Sequence, residues 1–399
     1  MKICLIAMSG VRVVNPELRA LGLTLPGFIE RGKVIASLPS LGLLTLAGMT
    51  PACHEVIYRE IDELSADSSD IDCDLVAISS LTARIDDAYV LANAFRSRGV
   101  LVVIGGIHAS VLPQEALEHC DAVVAGNAEG IWPKILEDAA SARLRGIYRS
   151  KVTQPFTSAH YVMPAFHLMA GRRYNRVTVQ TARGCPRACE FCGASRLISA
   201  KFQQKPVSRV IAEIGEARKW IDRPFFEFAD DNTFLDRGYG RELVKTLIPL
   251  GIRWFTETDV SIADDLELCN MLAESGCRQL LIGFESPHTG DLKTVDPGGW
   301  KHRMGDRYLR AIDVLQSRGV SVNGCFIFGL DDQDTGIFPA VVDFVRQLAL
   351  PSPVHRPNTL PGNRTLPPAQ SGTTPAATKI LGPLHLVRCQ FLSCGNVRG

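Results

Sequence analysis

Residues 181–197 read TARGCPRACEFCGASRL, and the three cysteines within them, Cys185, Cys189 and Cys192, are spaced C-x3-C-x2-C. The chain has 12 cysteines, but only this group has ligand-like spacing. Isolated ones such as Cys4, Cys53, Cys73, Cys269, Cys277 and Cys325 read as small buried hydrophobes. Zinc sites prefer paired C-x2-C knuckles and four ligands. No second pair is present, because Cys269 and Cys277 stand further apart, in or beside a helical stretch. A redox C-x2-C motif accounts for Cys189 and Cys192 and leaves Cys185 unexplained.

Three thiolates on a short glycine-containing loop can ligate three of the four irons of a cubane cluster. Such clusters usually take four cysteines. The missing fourth leaves one iron open, and the amino and carboxylate groups of S-adenosylmethionine suit that opening. An electron passed into the sulfonium then yields methionine and a 5′-deoxyadenosyl radical, which abstracts hydrogen from a substrate.

The sequence around the loop reads as βα units. Before it, Lys2 to Met8, Leu75 to Ser80, Val100 to Gly106 and Ala122 to Gly126 are apolar strands with amphipathic helices between them. Continuous apolar strands imply a parallel sheet covered on both faces. Residues 1–150 therefore form a doubly wound, Rossmann-like α/β domain. Its ligand crevice lies at the carboxyl ends of the strands, which carry Ser79–Ser80, Gly105–Gly106–Ile107–His108 and Gly126–Asn127. Small residues there admit a large flat ligand to the backbone. Residues 151–170 read as a linker. From 171 to 350 a second run of strands ends in carboxylates: Asp230–Asp231 after Phe225 to Ala229, Glu257 after Arg253 to Thr256, Glu285 after Gln279 to Phe284, and Asp331–Asp332 after Ser321 to Phe328. In a βα barrel those ends form the active-site face, so this half reads as a partial (βα)6 barrel with a polar mouth.

The cysteine loop, with Phe191 directly before Cys192, resembles the defining loop of the radical S-adenosylmethionine superfamily. PSLGLLTLAG (Pro39 to Gly48), GGIHAS (Gly105 to Ser110) and FADDNTF (Phe228 to Phe234) are similar to its subclass with an N-terminal cobalamin-binding domain. The resemblance covers residues 1 to about 350. It implies a 4Fe-4S cluster on Cys185, Cys189 and Cys192, S-adenosylmethionine, and cobalamin. It further implies that Phe191, Ile327 and Gly329 lie by adenine, that Asp230 and Asp231 receive the methionine amino group, and that Glu285 meets ribose and substrate. Glu285 and Asp230 are the catalytic candidates. Ser79, Ser80, Gly105, Gly106, His108 and Gly126 would meet the corrinoid. Several members methylate or cyclise lipids, pigments and natural products, drawing electrons from a flavodoxin- or ferredoxin-like donor. The expected substrate is thus a small molecule or lipid. Three readings follow: a cobalamin-dependent methylase or rearranging enzyme, a radical enzyme without corrinoid, and a non-catalytic remnant.

Two features depart from that pattern. None of the nine histidines has Asp two residues before it, so the Asp-x-His-x-x-Gly cobalt-ligand motif is missing, and VAGNAEG (Val124 to Gly130) is a loosened Gly-Glu-rich turn. After about residue 350 the chain changes character. The last acidic residue is Asp343, and 8 of the 23 prolines fall in 351–399. By composition this is an irregular, disordered tail. The subclass carries a Thr-Pro-x-Pro-Gly-Thr turn here. Read from the second base of each codon, the degenerate code from Pro353 onward permits Gln-Phe-Thr-Val-Leu-Thr-Pro-Phe-Pro-Gly-Thr-Ala-Leu-Tyr. A single-base frame change near Pro353 would replace the native C-terminus and remove the sixth barrel strand.

Bulk numbers bound the rest. Lys plus Arg is 43 and Asp plus Glu is 42 among 399 residues, which leaves no basic footprint for nucleic acid. No apolar stretch approaches the ~18–20 residues of a membrane span, and MKICLIAMSG is too short for a signal core. These point to a cytoplasmic protein. Resequencing the locus checks the frame change: a one-base difference near the Pro353 codon is expected, and an intact frame at deep coverage contradicts it.

Overall fold

The computed structural model describes residues 1–8, 38–149, 162–193 apart from 173 and 175, 201–349 and 388–393. The first strands are β1 (Lys2–Met8), β2 (Glu55–Ile61), β3 (Leu75–Ser79), β4 (Leu101–Gly105), β5 (Ala122–Ala125) and β6 (Gly146–Arg149). They form one parallel sheet in the order β2-β1-β3-β4-β5-β6. The order reverses between β1 and β3, so a switch-point crevice opens at the carboxyl ends. Two strands were not legible in the sequence. β2 (EVIYREI) carries three charged residues and is only half buried, and β6 is a four-residue edge strand.

Each face of this sheet has its own helices. Ile85–Ser97 buries Ile85, Ala88, Leu91, Ala92 and Phe95 against one face, where Cys4, Ile6, Val76 and Ile78 meet them. The helix Leu41–Met49 covers the other face, its start capped by the Ser40 hydroxyl, which accepts from the Leu43 N–H at 3.4 Å. On that face Leu5, Leu44, Val103 and Trp132 belong to a core that continues through Phe166 and Met169 into Val177, Phe226 and Trp254 of the second sheet. The described part of the expected linker is therefore a packed joint. Ala165 donates its N–H to the Leu44 carbonyl at 2.9 Å, and Phe166 and Met169 are fully buried. Beside it, Glu60 accepts from the hydroxyls of Tyr58 (2.8 Å) and Tyr174 (2.9 Å) and faces Arg172. Residues 151–161 lie outside the described residues.

Past the joint, β7 (Val177–Val179) leads to the antiparallel pair β8 (Ala182–Arg183) and β9 (Gln203–Gln204), which closes the base of the cysteine loop. Then come β10 (Phe225–Phe228), β11 (Arg253–Thr258), β12 (Cys277–Glu285), β13 (Ser321–Phe328) and β14 (Arg388–Ser393). With β7 they make a parallel sheet in the order β7-β10-β11-β12-β13-β14, a partial barrel of six strands. Along β10 and β11, Phe226, Phe228 and Trp254 face the helices, with the Phe228 and Trp254 rings stacked at 4.9 Å. By strand alternation Glu227, Phe255 and Glu257 face the interior.

β14 is the part of the tail that the structure describes. Residues 388–393 pair with β13 from Asn323↔Arg388 to Phe328↔Ser393, so the sixth strand position is filled. Without a partner, the outer edge of β13 would present a row of unpaired backbone groups. The six residues RCQFLS satisfy that edge, a local property that the composition of a 49-residue tail averages away. The proposed frame-change site and residues 350–387 lie outside the described residues. Among the described residues no helix is long and apolar enough to cross a membrane.

The shared core makes a prediction. Phe166→Ala removes a fully buried ring at the joint, at a cost of roughly 3–5 kcal/mol. A thermal melt should show one cooperative transition shifted down. Two separated transitions would contradict a continuous core.

Candidate functional site

Two aspartates shape the approach to the cysteine loop. Asp230 is buried and accepts the backbone N–H groups of Thr181 (2.7 Å) and Ala182 (2.9 Å) and the hydroxyl of Thr233 (2.7 Å); the Thr181 hydroxyl also donates to it. Burial pushes its carboxyl up, and these donors pull it back. Asp231 accepts from the Gly184 N–H at 2.8 Å, one residue before Cys185. Gly184 (φ 82°) and Ala188 (φ 54°) then turn the chain through the left-handed region, and the Cys192 N–H closes on the Cys189 carbonyl at 3.0 Å.

The loop is braced from behind. Glu190 donates its N–H to the Val295 carbonyl at 2.8 Å. The Arg187 guanidinium lies 3.8 Å over the Trp300 ring and 3.2 Å from Asp259, which also accepts from Asn232 at 2.8 Å. Cys189 is buried, while Cys185 and Cys192 are half-buried. Burial pushes the Cys185 thiol up and the Cys189 thiol up to about 11, with Lys301 opposing the rise at Cys189. Bound iron would hold them as thiolates. Among the described residues no three His, Cys, Asp or Glu side chains are grouped to hold a single metal ion. A cubane takes each thiolate on a different iron and does not require the sulfurs to converge. Three thiolates on one loop would suit three irons of such a cluster.

The strand-end carboxylates do not form the single open mouth expected from the sequence. The oxygens of Asp230, a candidate for catalysis and cofactor contact, are committed to Thr181, Ala182 and Thr233, so its geometry is that of a clamp on the loop. Glu285 sits at a bulge with φ 65° and is paired with Lys301, whose Nζ also reaches the Gly283 carbonyl at 2.9 Å. The Lys301–Glu285 contact is 2.6 Å. Burial pulls Lys301 down, and Glu285 more than reverses that pull. A side chain on Gly283 would strike the Glu285 carboxylate, so the pair is closely confined. Phe191 is half-buried against the core, and Ile327 is buried on β13. Gly329 (φ 96°) gives its N–H to Gln333 at 2.9 Å.

A cavity of about 440 Å³ lies between the two sheets. Its floor is the carboxyl ends of β3, β4 and β5: Ser79, Gly105, Gly106 and Gly126. Leu41, Leu46 and Met49 of the helix Leu41–Met49 form an apolar wall, with Trp132 beside them. A Cβ at Gly126 or Gly42 would meet nothing within 4 Å, so the glycines leave the space flat and open. This floor fits a planar macrocycle. Ser80 and His108 are not in it. Ser80 packs under Gly106, where a Cβ would lie 2.4 Å from its carbonyl oxygen. His108 turns away, with Nε2 3.0 Å from Glu115 and Nδ1 3.3 Å from Thr82. No histidine lines this cavity among the described residues.

The opposite wall belongs to the barrel and includes Gln180, Arg183, Asp231 and the buried Lys205–Glu213 pair at 2.7 Å. Of the expected ligand residues, the structure thus brings together Ser79, Gly105, Gly106, Gly126 and Asp231. It adds Arg183, Glu129, Lys205, Glu213 and Trp132. Glu129 and Arg183 lie inside segments that the sequence had marked, the turn 124–130 and the cysteine loop, but their meeting 54 positions apart was not legible; Lys205, Glu213 and Trp132 lie in no such segment.

Comparison with known proteins agrees with this division. Residues 31–136 match the B12 binding domain, and residues 179–345 match the radical SAM superfamily. The chain is 28% identical over 334 residues to bacteriochlorophyllide d C-12(1)-methyltransferase of Chlorobaculum tepidum, covering 82% of this chain and 72% of that protein. It is also 28% identical over 303 residues to the C-8(2)-methyltransferase of the same organism, covering 72% of this chain and 66% of that protein. In fold it is similar to the radical S-adenosylmethionine methyltransferase TsrM of Kitasatospora setae, with a TM-score of 0.63 at 15% identity over 87% of this chain and 71% of that one.

Glu257 yields a pH prediction. Burial pushes its carboxyl up from 4.5 to about 7, with Glu227, Asp231 and Asp230 adding to the rise. The folded state then holds a proton that the unfolded chain releases. The stability from this group is fully present below pH 4.5 and is lost as pH rises through about 7. The loss is at most about 3 kcal/mol. Thermal melts between pH 5.5 and 8 should show this fall in the unmodified protein and a flatter profile in Glu257→Gln; equal slopes would refute the assignment.

Proposed function

Because the chain belongs to the radical S-adenosylmethionine superfamily, in its subclass with an N-terminal cobalamin-binding domain, we propose that it methylates a small-molecule substrate by cobalamin-dependent radical chemistry. One observation carries this reading. A single cavity is floored by the small residues at the strand ends of the first sheet and walled by the segment that enters the cysteine loop. When bound, the cofactors would supply reductive cleavage of S-adenosylmethionine to a 5′-deoxyadenosyl radical and a cobalt-borne methyl group.

The chain's own residues position and exclude. Cys185, Cys189 and Cys192 would hold the cluster through three irons. Asp231 faces the cavity beside Gly184, well placed to receive an ammonium group. Leu41, Leu46, Met49 and Trp132 make one wall of the crevice apolar, where they would shield a bound corrinoid from water. Glu285 and Lys301 stand behind the loop as a neutral pair that can orient polar groups at the strand end. Phe191, Ile327 and Gly329 remain candidates for the adenine side. The electron donor in this reading is a flavodoxin- or ferredoxin-like protein. Methylation is favoured over rearrangement because the two relatives described above are named as methyltransferases.

Anaerobic reconstitution with iron, sulfide and hydroxocobalamin tests this reading. With S-adenosylmethionine and a low-potential reductant, the protein should release 5′-deoxyadenosine. Alanine at any one of Cys185, Cys189 or Cys192 should remove both cluster iron and that product. An intact cluster that yields no 5′-deoxyadenosine would instead support a non-catalytic remnant.

A further inference from the structure

Arg183 and Glu129 come from opposite halves of the molecule and meet at the cavity wall. Arg183 ends β8, two positions before Cys185. Glu129 lies in the turn after β5, three positions past Gly126. Arg183 Nη2 is 2.7 Å from Glu129 Oε1, and the two side chains are only 18% and 23% exposed. Gln180 Oε1 accepts from Arg183 Nε at 3.2 Å and Nη2 at 3.0 Å, which fixes the plane of the guanidinium. The next residue, Gly184, is held by Asp231. A shift of β8 is therefore felt at Glu129, and a shift of the turn is felt at the root of the cysteine loop.

We propose that Arg183 is a positioning residue that couples the corrinoid turn to the cluster loop through Glu129. The proposal rests on the reading that both groups bind this chain. A cluster on Cys185 orders the two residues before it and so places Arg183. A corrinoid on the glycine floor orders the turn after β5 and so places Glu129. Each binding event thereby lowers the entropic cost of the other, and by linkage the effect is reciprocal.

The test uses the full chain and hydroxocobalamin, titrated by absorbance into cluster-loaded protein and into protein stripped of iron. The unmodified protein should bind it roughly fivefold or more tightly with the cluster present. Glu129→Gln and Arg183→Gln should each bring that ratio close to one, and the double variant should reduce it no further. Exchanging the pair, Glu129→Arg with Arg183→Glu, should restore part of it. A merely structural role lowers affinity in both forms alike and leaves the ratio untouched, which would overturn the coupling. So would a ratio of one in the unmodified protein. Should Arg183→Gln fail to fold, Glu129→Gln decides the matter alone. If no form binds hydroxocobalamin, the functional reading falls and the coupling falls with it.

Discussion

A single buried carboxylate organises the radical half of this molecule. Asp230 stands at the end of β10, with its oxygens turned toward the chain that leaves β7. Two backbone N–H groups and two hydroxyls converge on it in a buried setting. Leaving such donors unpaired costs about 1–3 kcal/mol each. The chain between β7 and β8 therefore has one favourable path, and that path delivers Gly184 to Asp231 and Cys185 to the head of the loop. The two neighbouring aspartates divide the labour: the first fixes the chain that enters the loop, and the second holds Gly184 and lines the cavity.

The other dependence is the core. Trp132, Phe166 and Phe226 belong to one continuous apolar cluster, so the first sheet is not a module on a tether. Its strand ends face the barrel because the joint is packed. The cavity follows from that geometry, with small residues on one wall and charged ones on the other. Arg183–Glu129 is a polar contact across it, and Glu60 with Tyr174 secures the far side of the joint.

The sequence made much of this legible, for identifiable reasons. The cysteine spacing is a local covalent pattern and needs no fold to be read. Apolar strands such as Leu101–Gly105 announce themselves because both of their faces are buried. The glycine floor was readable because tight strand ends demand glycine. The partners of charged residues were not. Asp230, Glu285 and His108 all looked like ligands, and each is held by a protein group: Thr181 and Thr233, Lys301, and Glu115. Lys301 lies 16 positions from its partner, and no periodicity records that meeting. β14 escaped notice because six residues of strand are diluted in a long proline-rich stretch.

The most direct measurement is cluster retention in Asp230→Asn set against its fold. The amide keeps the volume but presents two donors where the native chain needs only acceptors. The account predicts a protein with native circular dichroism at low temperature that binds far less iron and sulfide on anaerobic reconstitution and loses the cluster's absorbance. Full cluster content with unchanged thermal stability would show that the loop takes its shape without the clamp, and would contradict the account.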